Sequence, residues 1–298
     1  MKTCDLFKTK KLVLSAEVFP PKTSGNLEGV IRALKSIKSV GADYVSVTYG
    51  AGGFGSDTTA DVASIAVDAF GIDTVAHMTA VNMTKDKLEE LLKMLKRKGI
   101  ETILALRGDI VSESKFYDFS HASDLAKYIK TNHPDFNLLG ACYPEKHPDA
   151  ESIDIDVENL KLKIDAGVSH LVTQLFYDND CYFRFLDKLD IHGINVPVSA
   201  GIMPMFTKKA IKRTIELSNA SLPKPFADLA NSDLSEEDFF KKGIELCNAQ
   251  IIDLVNHGVK GIHLYTMNRT DVADKVFPAI RNEFGIADWP KFRFDDIK

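Results

Sequence analysis

The feature that most limits the possible folds of this chain is a regular alternation of short apolar runs with longer segments of helical spacing. The runs are rich in β-branched residues and continuously apolar, which is typical of strands buried on both faces of a parallel sheet. They occupy residues 12–19, 44–50, 74–80, 102–108, 138–144, 171–177, 196–204 and 261–268.

The segments between the runs repeat apolar residues at three- and four-residue steps, which is typical of amphipathic helices. Residues 27–41, 84–99 and 157–167 are the clearest examples, and they end at Gly41, Gly99 and Gly167, where a left-handed helix stop is expected. Eight consecutive strand–helix units in 298 residues predict an α/β fold, the (β/α)8 TIM barrel, as a single domain spanning residues 1–298.

The surplus length lies between the seventh and eighth runs. Residues 221–238 there indicate a turn or short helix, followed by a helix whose N-cap lies near Ser235. We therefore expect an extra helical insert between strands 7 and 8.

Composition excludes several classes of protein. The formal net charge is −5, and no long basic stripe occurs, which argues against nucleic acid as the main partner. The four cysteines lie far apart without a C-x-x-C pair, which argues against a zinc site or a disulfide framework. No apolar stretch approaches the roughly 18 residues that a membrane span needs. We expect a cytoplasmic protein with no metal and no membrane contact.

Two short motifs invite other interpretations. Residues 50–55, GAGGFG, satisfy the glycine pattern of dinucleotide-binding folds, but the next strand ends in His77, Met78 and Thr79 without the acid that would bind a ribose. This glycine-rich segment is therefore predicted to be a loop above a barrel. Residues 107–109 spell R-G-D, an adhesion motif that a cytoplasmic chain would not present.

Polar residues follow nearly every predicted strand, where the active sites of such barrels lie. In chain order they are Glu17, Thr48, Tyr49, His77, Arg107, Asp109, Tyr143, Gln174, Asn268 and Arg269. One such residue can simply close a strand by satisfying its backbone. A whole set that converges on one face predicts a catalytic site.

Two carboxyl groups in this set suggest a division of labour. Glu17 lies inside an apolar run just before Phe19, so desolvation should favour its protonated form, as a general acid requires. Asp109, beside Arg107 at a strand end, should stay ionised and stabilise developing positive charge. Without a metal cluster or a nucleophile–base pair, the set favours redox or iminium chemistry over hydrolysis. The residues alone do not name a cofactor.

The order of the motifs resembles the methylenetetrahydrofolate reductase family, in its bacterial form with the catalytic barrel alone. The matching stretches are EVFPPKT (17–23), SVTYGAGG (46–53), AHMT (76–79), ALRGD (105–109), ASDL (122–125), YPEKHP (143–148), NLKLKIDAG (159–167), TQLFYD (173–178), GIMP (201–204) and YTMNR (265–269).

The resemblance implies a ping-pong reaction in which NADH or NADPH passes hydride to FAD, and 5,10-methylenetetrahydrofolate is then reduced to 5-methyltetrahydrofolate. It implies catalytic roles for Glu17 and Asp109 and folate contacts for these two residues, Gln174 and Arg269. It places Thr48 near the nicotinamide. It also implies flavin contacts for Tyr49, Ala51, His77, Arg107, Gly108, Asp109, Ala122, Tyr143, His147, Asp156, Asn159 and Lys163.

The chain departs from the family pattern at Ala210, Thr214 and Leu162. These changes affect expected contacts to pterin, nicotinamide or flavin phosphate, and Met205 or Phe206 are candidates to replace the missing ones. The family also leads us to expect a homo-oligomer, with a larger complex as a further option. The preference between NADH and NADPH is left open.

Two alternative functions remain at this point. A related flavin barrel acting on another secondary amine, as a proline dehydrogenase does, is disfavoured by Glu17, because simple amine oxidation needs no ring-opening acid. A folate-binding barrel that serves a methyl-transfer partner has no cobalamin or zinc motif in its support.

Overall fold

The computed structural model describes residues 2–21, 27–50, 56–110, 112, 114–218 and 220–286. Eight parallel strands in chain order form a closed barrel, with β1 paired to both β2 and β8. The predicted (β/α)8 TIM barrel is confirmed. The strands are β1 (Val13–Val18), β2 (Tyr44–Val47), β3 (Thr74–Thr79), β4 (Thr102–Leu106), β5 (Asn137–Cys142), β6 (Val168–Thr173), β7 (Val198–Ile202) and β8 (Gly261–Tyr265).

Helices follow the strands along the chain, and the predicted left-handed stops at Gly41, Gly99 and Gly167 have φ values of 72°, 70° and 103°. None of the described helices combines the length and the apolar character needed to cross a bilayer. The helices are α1 (Thr3–Thr9), α2 (Glu28–Ser39), α3 (Ser56–Asp68), α4 (Lys85–Arg97), α5 (Ala122–Asn132), α6 (Ile153–Asp165), α7 (Asn179–Ile191), α8 (Lys208–Ser218), α9 (Lys224–Ala230), α10 (Glu236–Asn256) and α11 (Thr270–Glu283).

Side chains along each strand alternate between two cores. On β1, Leu14, Ala16 and Val18 pack in the core between the barrel and its helices. Val13 belongs to a separate cluster inside the barrel. Because successive strand residues point to opposite faces, Glu17 shares the inward face with Val13. The buried, uninterrupted runs of the sequence therefore conceal an alternation that directs Glu17 into the barrel.

The predicted strands run too far at their carboxyl ends, and the run over 171–177 is the clearest case. β6 ends at Thr173, and the strand predicted over Leu175 to Tyr177 is wrong. Phe176 is fully buried and stacks on Tyr182 of α7, while its carbonyl accepts a hydrogen bond from Gln250. The run stays apolar because the helical layer buries it. An apolar run in the sequence does not distinguish burial in a strand from burial beneath helices.

Helix α1 was not predicted, since it has only seven residues and precedes the first repeat. It covers the amino-terminal end of the barrel. Leu6 joins the inner cluster, Thr3 Oγ1 hydrogen-bonds His170 Nδ1 at 3.1 Å, and the ring of Phe7 meets the His170 ring edge-on at 4.8 Å. This end of the barrel is therefore filled by side chains.

The predicted insert between strands 7 and 8 is confirmed as α8, α9 and α10. The N-cap of α10 is Ser235, whose Oγ accepts the backbone N–H of Asp238 at 3.1 Å. Tyr177, Met205 and Phe226 lie in a small core shared by these helices. The insert therefore packs beside the carboxyl end of β7 with a hydrophobic core of its own.

Gly243 on α10 should tolerate no side chain. An added Cβ would collide with the backbone carbonyl of Met205, whereas a Cβ on Gly29 of α2 would meet open space. We expect Gly243→Ala to lower the free energy of unfolding by about 1–3 kcal/mol. Gly29→Ala, the matched control, should leave it unchanged or raise it by up to about 1 kcal/mol. Urea denaturation of both variants checks this, and equal stabilities would contradict the packing described here.

Candidate active site

A cavity of about 820 Å³ opens at the carboxyl ends of the strands. Among the predicted site residues, Ala51 lies outside the described residues, and neither Asn268 nor Arg269 lines this cavity. All the others line it: Glu17, Thr48, Tyr49, His77, Arg107, Gly108, Asp109, Ala122, Tyr143, His147, Asp156, Asn159, Lys163 and Gln174.

The alternation along the strands explains why these side chains meet. On β3, Val75 lies in the inner cluster, and His77 follows two residues later. On β6, Val172 lies in the same cluster, and Gln174 follows at the strand end. A step of two residues returns to the same face, so β3 and β6 each carry an apolar side chain inside the barrel and a polar one at its mouth.

Glu17 lies deep in this cavity and is 6% exposed. Its Oε2 lies 3.7 Å from His77 Nε2 and 4.0 Å from His263 Nε2. Burial lowers the pKa of His77 to about 4, although the charge of Glu17 acts to raise it and His263 lowers it further. His77 is therefore neutral at pH 7, and Glu17 faces an uncharged imidazole at this position.

A layer of hydrogen-bonded side chains supports Glu17 from inside the barrel. His263 Nδ1 is bonded to Ser15 Oγ at 2.8 Å, and its Nε2 to Ser46 Oγ at 3.2 Å. All three side chains are buried. Because both ring nitrogens have partners, the orientation of the His263 imidazole is fixed beneath Glu17.

The segment Arg107–Gly108–Asp109 follows β4 and depends on a tight backbone. The Arg107 carbonyl accepts the N–H of Val81 at 2.9 Å, and Gly108 has a φ of +89°. A Cβ on Gly108 would lie 2.5 Å from Val81 Cγ1. Glycine is therefore required here on both conformational and steric grounds.

The two charges of this segment do not pair with each other. Arg107 Nη1 donates to Asp149 Oδ2 at 2.8 Å, on the loop after β5. Asp109 is exposed at the cavity wall. Arg107 is thus bound to Asp149 through one nitrogen, and Asp109 is not its partner.

The outer wall of the cavity is built on the loop before α6. Asp156 accepts the backbone N–H of His147 at 2.8 Å, and His147 Nδ1 accepts the N–H of Asp149 at 3.0 Å. The neutral ring then carries its proton on Nε2. Burial, followed by the charge of Arg107, lowers the pKa of His147. Its ring meets Tyr143 edge-on at 4.6 Å.

Lys163 provides a second cation on this wall. It lies one helical turn after Asn159 on α6, so both share a helix face. Its Nζ donates to the Ala141 carbonyl at 2.9 Å, and burial lowers its pKa. Together with Arg107, it makes one side of the cavity suited to a ligand that carries negative charge.

Unused hydrogen-bonding capacity marks this cavity. Within the described residues, buried His77 Nε2 and Arg107 Nε have no hydrogen-bond partner. Burying such a group unpaired is costly, so these atoms are expected to meet a ligand or water. The residues present therefore fit a ligand with a polar atom near His77 and anionic groups near Arg107 and Lys163.

Arg269 occupies a separate position beside the insert. Its guanidinium pairs with both carboxylate oxygens of Asp271, at 3.1 and 2.7 Å. It also lies 4.4 Å from the ring centroid of Phe240 and 5.5 Å from that of Phe206. Met205 and Phe206 are buried and do not line the cavity. Arg269 is therefore bound by these neighbours and does not line the cavity that Glu17 lines.

The sequence patterns missed several residues that line the cavity, including Asp149, His263 and Tyr265. Asp149 ends the second of two H-P-D triplets, which reads only as a loop; the first triplet lies elsewhere, with His133 bonded to Glu89 at 2.9 Å. His263 and Tyr265 could have been found from the sequence. They lie two residues apart at the end of β8, which repeats the spacing of Ser15 and Glu17 on β1.

The described residues bear on two further expectations, those for metal ligands and for cysteines. They contain no group of three or more histidine, cysteine or carboxylate side chains arranged to bind a metal ion. Cys4, Cys142, Cys181 and Cys247 are all free.

Comparisons with known proteins give a consistent result. The sequence pattern of the family described as Methylenetetrahydrofolate reductase matches residues 2–281. Methylenetetrahydrofolate reductase 1 of Schizosaccharomyces pombe is 34% identical over 286 residues, covering 94% of this chain and 47% of that protein. The 5,10-methylenetetrahydrofolate reductase of Escherichia coli K12 is 33% identical over 262 residues, covering 87% of this chain and 88% of that protein. The chain spans about half the length of the fungal and plant relatives it matches.

A solved structure shares the fold. It is an uncharacterized protein from Clostridium thermocellum that binds two copies of 5-methyl-5,6,7,8-tetrahydrofolic acid. The TM-score is 0.66 at 16% sequence identity, and the match covers 94% of this chain and 98% of that one. At this identity the likeness concerns the fold alone.

Burial of neutral His77 should make stability depend on pH. Its pKa is about 4 in the fold against 6.5 for a free histidine, so between these values the unfolded chain binds a proton that the folded chain does not. Stability is therefore lost as the pH falls from 6.5 towards 4, by about 2 kcal/mol between pH 7 and pH 5 from this group.

We expect His77→Gln to remove that part of the loss, as measured by urea denaturation at pH 7 and pH 5. His257→Gln, at a side chain that is 60% exposed, is the control and should keep the wild-type difference. An unchanged pH dependence in His77→Gln would show that His77 is charged or accessible in the fold.

Proposed function

Because the chain belongs to the methylenetetrahydrofolate reductase family, we propose that it reduces 5,10-methylenetetrahydrofolate to 5-methyltetrahydrofolate, using FAD and either NADH or NADPH. The observation that carries the proposal is that Glu17 and Asp109 line one cavity together with the residues expected to bind the flavin. Had these two carboxyl groups lain in separate cavities, the proposal would have lost its chemistry.

The cavity offers groups suited to FAD. Arg107 and Lys163 would face the pyrophosphate, whose negative charge is complementary to their positive charges. Gly108 keeps the backbone free of a Cβ beside them, and neutral His147 has an Nε2–H to donate. The unpaired Nε2 of His77 would meet a polar edge of the flavin ring system. When bound, FAD supplies ping-pong hydride transfer, accepting a hydride from the nicotinamide and donating it after the folate has replaced the nicotinamide.

Glu17 is proposed as the acid that opens the imidazolidine ring of the folate. A proton moves from the Glu17 carboxyl to the ring nitrogen that leaves, and the carbon–nitrogen bond breaks with its electron pair going to that nitrogen. The methylene carbon becomes part of an iminium cation, which can accept a hydride. The buried setting of Glu17, 6% exposed at the inner end of the cavity, supports this role because the carboxyl lies where a bound ligand, rather than bulk water, would meet it.

Asp109 is proposed to stabilise the cation that this step creates. A fixed negative charge near a developing positive charge lowers the barrier when it needs no reorganisation. Arg107 binds Asp149 and so does not neutralise Asp109. Gln174, at the end of β6, is proposed to contact the pterin from the same cavity. Its Oε1 already accepts the N–H of Leu175 at 2.8 Å, which leaves its amide N–H groups as donors.

Flavin binding can be tested with two lysines on one helix. Lys163 lines the cavity, whereas Lys161 is exposed, and residues two apart on a helix point in different directions. We expect Lys163→Gln to weaken FAD binding roughly 10-fold through loss of a charge-assisted contact, while Lys161→Gln binds as the wild type does. Titration of the apoprotein with FAD, followed by flavin fluorescence, measures both. Equal affinities in the two variants would remove Lys163 from the site.

The role of Glu17 can be tested by separating the two half-reactions under anaerobic conditions. In Glu17→Gln, flavin reduction by NADH or NADPH should stay close to the wild-type rate. Reoxidation by 5,10-methylenetetrahydrofolate should slow by about 100-fold or more, because the variant has no proton to give. Stopped-flow absorbance of the flavin follows both steps.

Two outcomes would count against these assignments. Equal slowing of both half-reactions would contradict the acid role of Glu17. A wild-type protein that cannot be reconstituted with FAD, or that oxidises proline in preference to reducing the folate, would contradict the proposed function itself.

A further inference from the structure

The chain leaves β1 under an unusual constraint just after Glu17. Phe19 carries the last backbone N–H before Pro20 and Pro21, neither of which has one. The two prolines cannot donate hydrogen bonds to a neighbouring strand or loop. The N–H and carbonyl of Phe19 are therefore the groups best able to fix the direction in which β1 ends.

One side chain satisfies both of these groups. Asn268 Oδ1 accepts the Phe19 N–H at 2.9 Å, and Asn268 Nδ2 donates to the Phe19 carbonyl at 2.8 Å. The regular pairing of β1 with β8 ends at Glu17 and Tyr265. Since a carboxamide has the same donor and acceptor as a peptide group, the Asn268 side chain continues this ladder beyond the end of β8.

A second tether lies directly beside the first. Thr266, which is fully buried, donates from Oγ1 to the Glu17 carbonyl at 2.9 Å. The backbone of Glu17 and that of Phe19 are thus both bound to the loop after β8. Phe19 lines the same cavity as Glu17, so the tethers act on its wall.

The loop that supplies these side chains has two residues in an energetically unfavourable backbone conformation. Met267 and Asn268 have φ values of 53° and 58°, in the left-handed region. Asparagine adopts this region more readily than other residues that have a side chain, but methionine has no such preference, and its side chain here is 48% exposed. Strain of this kind persists where the surroundings enforce it and is concentrated at functional sites. In this loop it reverses the chain and brings the carboxamide of Asn268 back to β1.

We infer that Asn268 is a positioning residue for Glu17, holding the end of β1 so that the Glu17 carboxyl keeps its place in the cavity. The inference rests on the proposed function, because it acts through the acid role of Glu17. A displacement of about 1 Å at a reacting group can slow a reaction by about 100-fold, so a tether two residues away is consequential.

Two glycine variants separate the carboxamide from the backbone strain. Asn268→Gly permits the same φ and removes both hydrogen bonds to Phe19. Met267→Gly relieves the same kind of strain at the neighbouring residue and leaves the carboxamide in place. We expect amide hydrogen exchange at Phe19 to become faster in Asn268→Gly and to stay at the wild-type rate in Met267→Gly. This measurement by NMR or mass spectrometry needs no enzymatic activity.

The half-reactions supply the second readout. In Asn268→Gly, reoxidation of the flavin by 5,10-methylenetetrahydrofolate should slow roughly 10- to 100-fold, with flavin reduction unchanged. Met267→Gly should match the wild type in both steps. In the double variant Glu17→Gln/Asn268→Gly, reoxidation should be no slower than in Glu17→Gln alone. The Asn268 carboxamide acts by positioning the Glu17 carboxyl, and that acid is already absent in Glu17→Gln.

The possible failures are distinguishable. Unchanged exchange at Phe19, equal slowing of both half-reactions, or additive effects in the double variant would each overturn the inference and leave the proposed function standing. A wild-type protein that binds FAD and does not reduce the folate would overturn the proposed function, and the role assigned to Asn268 with it.

Discussion

Closure of the eight-stranded sheet is the constraint on which the rest of this structure depends. Every strand is paired on both sides, so the sheet has no free edge, and successive side chains face the helical layer and the barrel interior in turn. The interior is filled by an apolar cluster, by α1 and by bonded histidines such as His170. Residues near the carboxyl ends of β1 to β6 and of β8 therefore line the same cavity.

Charge in this cavity is distributed unevenly, and the distribution matters more than the number of charged groups. At its inner end, Glu17 is buried beside a histidine that burial keeps neutral. At its outer wall, Arg107 is paired with Asp149, and Asp109 is exposed without that partner. The two carboxyl groups of this cavity thus have different surroundings, which suits the two different roles proposed for them.

The fold could be predicted from the sequence because a closed barrel strongly restricts the spacing of apolar residues and the order of strands and helices. The number of strands, the helix stops and the insert are all confirmed. Strand ends were harder, since the run through Phe176 is buried by helices rather than by the sheet. The predicted site residues on strands reach the cavity because they lie at the strand ends, which the apolar runs located. Asp149 and the separate position of Arg269 could not be predicted, because they depend on how loops from different units meet. The catalytic and binding roles remain predictions.

Contacts between loops are what turn a ring of strand ends into a single site. A barrel fixes the strands, but each loop beyond them must find its own hydrogen-bond partners, since the regular ladder has ended. Here side chains supply these partners, and Asn268 does so for the backbone after β1. Asn82 is a second example, with a left-handed φ of 57°. Its Oδ1 accepts the backbone N–H of Lys115 at 2.8 Å. Asparagine suits this work because it accepts the left-handed turn and offers a peptide-like group. Short polar side chains whose sequence signal is weak thus tie the loops together at the mouth of the barrel.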